Sequence, residues 1–375
     1  MYQSQKKSSD SPKVNRSLLI PIVVSTLLAG TLSAEVNTAD IKRLIIDQEL
    51  NARSGFQLAG YASFGYSNAA SDDGTFDVVQ FSPIFHYGYS DILQFESEVE
   101  FTVGQDGETE IELEYAAANL FLNNYMALTV GRFMSPIGQF RQNFHPSWIN
   151  KLPSAPVGFG HGGAAPSANI GAALRGGLPK VLGLRHNYVA YVSNAPTLSV
   201  APDGDVDIGT EGGTASNSTP LNVGGRYAID PISGMEIGIS GAYGKVAELD
   251  TAGDYVQSRD YSVLGADLTY NVSGFDLRGE YVEQNIGDND PSPIEGGKWQ
   301  AWYAQVAYQI SAVRLEPVLR YGSYSNPESE IQQTALGLNY LFANNIIAKV
   351  AYQFNDVKDS TQNDDKFLAQ LAFGF

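Results

Sequence analysis

The chain has 375 residues, with 23 Lys+Arg against 41 Asp+Glu and no cysteine. A formal net charge of -18 argues against nucleic acid or an anionic membrane surface as a partner, because both carry charge of the same sign. The lack of cysteine excludes a disulfide scaffold and thiol chemistry. Stability must therefore come from hydrogen bonding and packing.

The N-terminal segment has the pattern of a secretory signal. Basic residues at positions 6, 7, 13 and 16 precede the apolar run LLIPIVVSTLLAGTL, which leads into small residues that end at Ala34. The run is short for a membrane span, and the small residues match a cleavage site. We interpret residues 1–34 as a signal peptide that is cut after Ala34; a membrane anchor is the alternative.

Residues 35–54 are expected to be a leader that contains one helix. TADIKRLIIDQELNA at 38–52 offers Thr38 or Asp40 as the N-cap, and its apolar residues fall roughly along one face. Such a helix can dock against the rest of the protein, plug it or associate with copies of itself, and the sequence does not choose among these.

From Phe56 onward the sequence alternates with period two, which predicts strands that have one apolar and one polar face. No later segment has the 18 or so consecutive apolar residues of a membrane helix. The predicted strands are 56–67, 76–87, 92–103, 108–122, 125–138, 169–178, 184–194, 221–230, 235–247, 260–270, 275–286, 298–310, 313–324, 331–342, 346–355 and 366–375.

The connections between these strands alternate in length. Short turns such as NN at 123–124 and NVSG at 271–274 alternate with longer segments such as 139–168 and 195–220. Short periplasmic turns and long extracellular loops are typical of outer-membrane barrels. We predict an all-β protein: a transmembrane antiparallel β-barrel of about 16 strands over residues 55–375, with a short N-terminal periplasmic helix. A soluble β-sandwich or β-helix is the alternative, but it rarely shows such alternation, and no repeat of fixed length is present.

Several strands resemble those of a known family. FLAQLAFGF at 367–375 resembles the C-terminal insertion signal of Gram-negative outer-membrane barrels, and TALGLNYLFANNIIAKVAYQF at 334–354 resembles the penultimate hairpin of porins. LTVGRFMSPIGQF at 128–140 is similar to the fifth strand and the start of the third loop in the phosphate-selective porin O and P group. The resemblance implies a homotrimeric sixteen-stranded porin, surrounded by outer-membrane lipid, whose third extracellular loop at about 139–168 folds inward and narrows the channel.

In the hairpin ILQFESEVEFTVGQDGETEIELEYA at 92–116, six of the seven glutamates fall on every second residue of two apolar-alternating runs, so that these six share one face. Like charges opposite one another destabilise a sheet, but water and mobile ions in a channel screen them over about 8–10 Å. A charge that faces lipid at the midplane costs roughly 2–4 kcal/mol, so Tyr115 and the other apolar residues are assigned to the lipid side. The predicted pore-lining glutamates are Glu96, Glu98, Glu100, Glu110, Glu112 and Glu114.

With a three-residue loop at 105–107, Glu100 is expected opposite Glu112, and Glu98 opposite Glu114. These glutamates either influence ion selectivity or merely solvate a wall and pair with arginines. The predicted pore-lining arginines are Arg132, Arg175, Arg185, Arg226, Arg278 and Arg320.

Two of these arginines raise questions of facing and pairing. Arg132 has the parity of its apolar neighbours Leu128 and Val130, so either a bulge near Gly131 turns it toward the lumen or its assignment to the lumen is wrong. Arg278 is expected opposite Asp267 across the NVSG turn. Arginines on one wall and glutamates on another would set a transverse field that orients polar solutes.

The third-loop segment combines aromatic residues with four prolines and is too apolar for a loop that hangs in solvent. We predict that it packs on the inner wall as a constriction, with Arg141 and Lys151 near the glutamates. An extracellular lid or a subunit contact is the alternative. Its candidate constriction residues are Arg141, His145, Trp148 and Lys151. Only two of its residues are Arg or Lys, whereas phosphate-selective members of the family rely on arrays of them.

Catalysis has no support in the sequence. Histidines at 86, 145, 161 and 186 are scattered, without a nucleophile elbow, metal-ligand spacing or phosphate-binding loop. His145 and His161 share one loop, but no thiol or neighbouring carboxylate accompanies them, so neither metal nor cofactor is predicted. The sequence predicts a porin, and not an enzyme, for passive diffusion of small hydrophilic solutes and ions across the outer membrane of a Gram-negative bacterium, with weak cation preference. A closed barrel that acts as an adhesin or structural scaffold is the alternative.

Overall fold

The computed structural model describes residues 54–70, 73–104, 106–200, 206–213, 221–250, 252–287, 296–358, 360 and 364–375. The predicted signal peptide at 1–34 and the predicted helix at 38–52 lie outside the described residues, and both stay predictions. No helix in the described part of the chain has the length and hydropathy needed to cross a lipid bilayer.

Nearly all of the described chain is β-strand, as the alternating pattern predicts. The strands are β1 (Gly55–Ala69), β2 (Thr75–Tyr89), β3 (Leu93–Val103), β4 (Thr109–Asn123), β5 (Met126–Met134), β6 (Ala168–Val181), β7 (Leu184–Asn194), β8 (Thr197–Val200), β9 (Val206–Gly209), β10 (Leu221–Asp230), β11 (Met235–Leu249), β12 (Tyr255–Val272), β13 (Phe275–Ile286), β14 (Gly297–Tyr308), β15 (Leu315–Ser325), β16 (Glu330–Ala343), β17 (Ile346–Val357) and β18 (Lys366–Gly374).

Within the described residues, β1–β7 and β10–β18 form one closed antiparallel barrel of sixteen strands. Each of these strands pairs with the next along the chain, β7 pairs with β10, and β1 pairs with β18. Closure leaves the barrel without a free sheet edge. The short strands β8 and β9 form a hairpin whose first strand pairs in parallel with the end of β11. The predicted fold class and the strand number are confirmed.

The barrel is apolar outside and mixed inside. Ile111, Ile239 and Leu264 project outward and are more than half exposed, whereas inward residues of the same strands, such as Ser240 and Val263, are buried. Successive side chains of a strand point to opposite faces, so the period-two pattern of the sequence becomes an inner and an outer wall.

A β-bulge in β4 changes the facing that strict alternation predicts. Glu98 lies opposite Tyr115 and Val99 opposite Leu113, so Glu114 is the extra residue. The predicted pairing of Glu100 with Glu112 is confirmed, whereas the predicted pairing of Glu98 with Glu114 is wrong. The bulge also turns Tyr115 inward, where its hydroxyl lies beside Glu98, so its assignment to the lipid side is wrong.

The irregularity expected near Gly131 therefore lies on the neighbouring strand. Gly131 keeps its register opposite Ala117, with a φ of 127° that favours glycine. Arg132 reaches inward all the same, because its guanidinium contacts Glu112 and the backbone oxygen of Glu114.

The predicted pairing of Arg278 with Asp267 is wrong because the NVSG turn is tighter than expected. Val272 pairs with Phe275, so the loop consists of Ser273 and Gly274, with φ of 49° and 87°. Two central residues with positive φ match a type I′ turn, whose twist suits a hairpin. The tighter turn places Glu280 opposite Asp267.

The segment between β5 and β6, residues 135–167, lies inside the barrel; we call it the third loop. Phe140 and Phe159 pack with Tyr303 of the inner wall, and Leu152 packs in a second cluster with Val318. The main hydrophobic clusters of the molecule thus lie between this loop and the inner face of β11–β17.

Candidate functional site

Two wall cations hold the third loop through its backbone. Lys349 of β17 donates from Nζ to the carbonyl oxygens of Ser147 and Asn150. Arg320 of β15 donates to the carbonyl oxygens of Ser154 and Ala155, at 3.0 and 2.9 Å. Both cations are almost completely buried, so these carbonyls provide the polar contacts that a buried charge requires.

Wall carboxylates hold the same loop at other points. Glu280 of β13 accepts a hydrogen bond from the backbone N–H of Phe140 at 2.9 Å. Glu316 of β15 pairs with Lys151 at 2.7 Å. Lys151 therefore contacts the β13–β15 wall, with Asp276 at 3.8 Å, and the prediction that it lies near the hairpin glutamates is wrong.

Among the described residues, two cavities border the third loop. The short-turn cavity, of about 560 Å³, lies near the β4–β5 turn; its lining includes Glu96, Asn119, Gln142, Asn143, Arg175 and Arg226. The long-loop cavity, of about 310 Å³, lies near the opposite end of β3; its lining includes Glu100, Thr102, Glu114, Arg141, His145 and His161. Glu96 and Glu100 are four residues apart on β3, so about 13 Å of strand separates them.

A cluster of largely buried ionisable groups, which we call the charged layer, borders the long-loop cavity, and its member Glu98 lies on β3 between Glu96 of the short-turn cavity and Glu100 of the long-loop cavity. It consists of Glu98, Glu114, Arg141 and His145. Arg141 Nη2 lies 3.3 Å from Glu114 Oε2, and these side chains are only 4% and 2% exposed. His145 Nε2 lies 3.9 Å from Glu98 Oε1, and the Tyr61 hydroxyl donates to Glu98 at 2.6 Å.

His161 connects the third loop to two other parts of the chain. Its Nε2 lies 3.4 Å from Glu114 of β4, and its Nδ1 lies 2.6 Å from Glu211, just after β9. The contact with Glu114 is the main reason that the pKa of His161 is raised, to about 9. The guanidinium of Arg141, 3.4 Å from Nε2, opposes a proton there, but the carboxylates outweigh it. The hydrogen bond between His161 Nδ1 and Glu211 lowers the pKa of Glu211.

The cluster around His161 also has the composition of a cation site. Ligand-type atoms of Glu112, Glu114 and His161 lie within 4.8 Å of one another. The expectation that no carboxylate lies near this histidine is therefore wrong. Arg132 and Arg141 already pair with the two glutamates, so the cluster is compensated without an added ion.

The six predicted pore-lining glutamates occupy different places. Glu96 and Glu100 face different cavities, Glu98 and Glu114 lie in the charged layer, Glu112 pairs with Arg132 at 3.2 Å, and Glu110 is exposed near the tip. The bulge and the loop therefore divide a set that looks uniform in the sequence.

The predicted arginines also divide by role. Arg175 lines the short-turn cavity, Arg185 is exposed near the β6–β7 turn, and Arg226 pairs with Glu236 and Asp267. Arg278 pairs with Asp276 and lies 4.1 Å above the ring of Phe144, and Arg320 holds the loop. Of the constriction candidates, Arg141 and His145 join the charged layer, and Trp148 lies against Gly374.

Sequence reasoning missed Tyr61, Lys349, Glu280, Glu316 and Glu211. The parity of Lys349 in IIAKVAYQF places it inward, so alternation was a usable signal for that residue. The partners of Lys349 and Glu280 are backbone groups of the loop, which no side-chain pattern reports.

The comparisons with known proteins concern the fold. The family described as "S-layer protein SlpA, beta-barrel domain" matches residues 183–354, which is less than half of the chain. No curated protein sequence matches the chain. Similar solved structures cover its barrel region almost completely.

Three of these structures illustrate the likeness. A Salmonella typhi OmpF structure, in complex with daunomycin, has 17% identity and a TM-score of 0.59, covering 87% of this chain and 99% of that one. An anion-selective porin from Comamonas acidovorans has 14% identity and a TM-score of 0.56, covering 86% of this chain and 100% of that one. The outer membrane channel DcaP of Acinetobacter baumannii has 12% identity and a TM-score of 0.55, covering 86% of this chain and 98% of that one. At these identities the likeness shows a shared barrel fold, and the narrower resemblance to the porin O and P group stays a prediction.

Proposed function

We propose that this chain is an outer-membrane porin, exported by its N-terminal segment, through which small hydrophilic solutes and ions diffuse passively with a weak cation preference. The observation that carries the proposal is a barrel with an apolar outer wall and a cavity at each end of its interior. An apolar outer wall suits contact with lipid. The charged layer is thin, since Glu98 is two residues, or roughly 7 Å of strand, from the glutamate of either cavity.

The weak cation preference follows from the acidic residues that face the cavities. Glu96 and Glu100 lie on the two sides of the charged layer, where they attract cations approaching from either end. Arg175 and Arg226 also line the short-turn cavity, so the preference is expected to be modest. The short supply of basic residues on the third loop argues against selection of phosphate.

Single-channel recording in planar bilayers under a salt gradient tests this proposal. We expect conductance steps and a reversal potential on the cation side. The Glu100→Gln variant should move the reversal potential toward anions, whereas Glu283→Gln, which removes a carboxylate from the outer face of β13, should leave it unchanged. A clear anion preference of the wild type would contradict the role of the glutamates.

A closed barrel that serves as an adhesin or scaffold is the second candidate, favoured by the burial of Glu98 and Glu114 in the charged layer. Bilayer recording separates the two, because a closed barrel gives no conductance steps. We also propose, from the porin resemblance, that the chain assembles as a homotrimer; native mass spectrometry in detergent would contradict this by showing monomers alone.

A further inference from the structure

We propose that the charged layer is a binding site for zwitterionic solutes of amino-acid size. The ammonium group of the solute would replace Arg141 on Glu114, and its carboxylate would replace Glu114 on Arg141. This inference rests on the proposed channel function and names the class of solute that the channel favours.

The burial of the Arg141–Glu114 pair is the first argument. A solute that enters the charged layer has to separate these groups, and both are nearly inaccessible to solvent. Separating a buried ion pair is costly because each charge is left without compensation. A neutral solute compensates neither charge and a singly charged solute compensates one. A zwitterion compensates both.

Unused hydrogen-bonding groups in the charged layer are the second argument. Arg141 Nε is buried and has no hydrogen-bond partner among the residues that the structure describes. Both ring nitrogens of His145 are in the same situation over the described ranges. An arginine binds a carboxylate best through two parallel N–H groups, so a free Nε beside Nη2 is suited to a second carboxylate.

The local structure of the loop is the third argument. Arg141 lies in a π-helical turn, Phe140–Phe144, a conformation that is rare and often found at functional sites. Glu280 holds this turn at Phe140, and Lys349 and Arg320 hold the loop farther on. With the backbone held on either side, exchange of partners by the Arg141 side chain is the simplest way to open the layer.

Two constitutional isomers give a matched test. Alanine is zwitterionic at neutral pH and lactamide is neutral, yet the two have the same atoms and nearly the same size. The full chain is reconstituted in liposomes, and osmotic swelling gives the initial rate of entry of each solute. We expect alanine to enter about 5-fold faster than lactamide. Arg141→Gln and Glu114→Gln should each bring the ratio close to 1.

Matched variants on the outer face serve as the control. Lys298 and Glu283 form an ion pair at 3.0 Å outside the barrel, so Lys298→Gln and Glu283→Gln should keep the wild-type ratio. If the layer variants fail to fold, as judged by heat-dependent mobility in electrophoresis, the wild type still gives a second measurement. Alanine should reduce its single-channel ion current in a saturable manner, and lactamide should not.

The possible outcomes separate this inference from the proposed function. A wild type that conducts ions but admits both isomers at one rate, without block by alanine, would overturn the inference and leave the channel function standing. A wild type that shows neither conductance nor swelling would overturn the proposed function, and the inference with it.

Discussion

Lys349 of β17 donates a hydrogen bond from Nζ to the backbone oxygen of Asn150, 2.7 Å away inside the barrel. The Lys349→Met variant keeps most of the side-chain volume but leaves the carbonyls of Ser147 and Asn150 without this donor. An unsatisfied buried group costs about 1–3 kcal/mol, so we expect the third loop to loosen and the single-channel current to become noisier.

A control for Lys349 lies on the exposed side of the molecule. Lys358 forms an exposed pair with Glu330 at 3.2 Å, so Lys358→Met should change neither the noise nor the stability. Equal noise in the wild type and Lys349→Met would show that the cation does not hold the loop.

Gly138 is required by both its backbone and its surroundings. Its φ is 73°, and a Cβ placed on it would lie 1.7 Å from Glu280 Oε1. Gly138→Ala should therefore cost about 1–2 kcal/mol for the backbone, plus the displacement of the carboxylate that binds Phe140. The midpoint of thermal unfolding, followed by circular dichroism, measures the sum.

A substitution at Gly162 distinguishes the backbone strain of Gly138→Ala from the cost of displacing the Glu280 carboxylate. Gly162 has a φ of 70°, and a Cβ there would meet nothing within 4 Å, so Gly162→Ala reports backbone strain alone. We expect the loss in Gly138→Ala to exceed that in Gly162→Ala. Equal losses would mean that Glu280 moves aside without cost.

Raising the pH should deprotonate His161 and weaken its ion pairs with Glu114 and Glu211. Its pKa is raised above the usual 6.5 to about 9, chiefly by Glu114, so its stabilising contribution is complete below pH 6.5 and is lost as the pH rises through about 9. The side chain is 41% exposed, and screening limits the effect to about 1 kcal/mol or less.

The measurement compares wild type with His161→Gln, because other groups also titrate at high pH. The difference between their thermal midpoints should be present at pH 7 and absent at pH 10.5. A difference for His161→Gln that persists at pH 10.5 would contradict a role for its charge.

The barrel was predictable because its signal repeats in every strand. Alternation correctly places Ile111 on the outer face and Glu112 on the inner face. The predicted pairings failed where a bulge or a tighter turn changed the number of residues between paired positions. The bulge at Glu114 and the two-residue turn at Ser273–Gly274 each shift the pairing, and neither leaves a pattern that alternation detects.

The charged layer was predictable only in part. Arg141 and the glutamates are conspicuous in the sequence, so their proximity was a reasonable expectation. Which wall the loop rests on depends on contacts between Lys349, Glu280 and backbone groups far along the chain. Such contacts bind any loop sequence with free carbonyl and N–H groups, so side-chain identity carries little information about them.

Phe375 extends the pairing of β1 with β18 that closes the barrel, and this gives a last prediction. Phe375 and Gly60 exchange backbone hydrogen bonds of 3.0 and 2.9 Å, and the Phe375 ring is stacked 6.0 Å from that of Phe81. Phe375→Leu keeps the backbone bonds and loses about 0.5–1.5 kcal/mol of ring contact, whereas deletion of Phe375 removes both and should cost about 1–3 kcal/mol more.

Thermal unfolding of protein refolded in detergent measures these losses without the cellular insertion machinery. Phe342→Leu is the control for loss of an outer-face ring contact. Equal stability of the deletion and Phe375→Leu would show that the backbone bonds to Gly60 contribute nothing to closure.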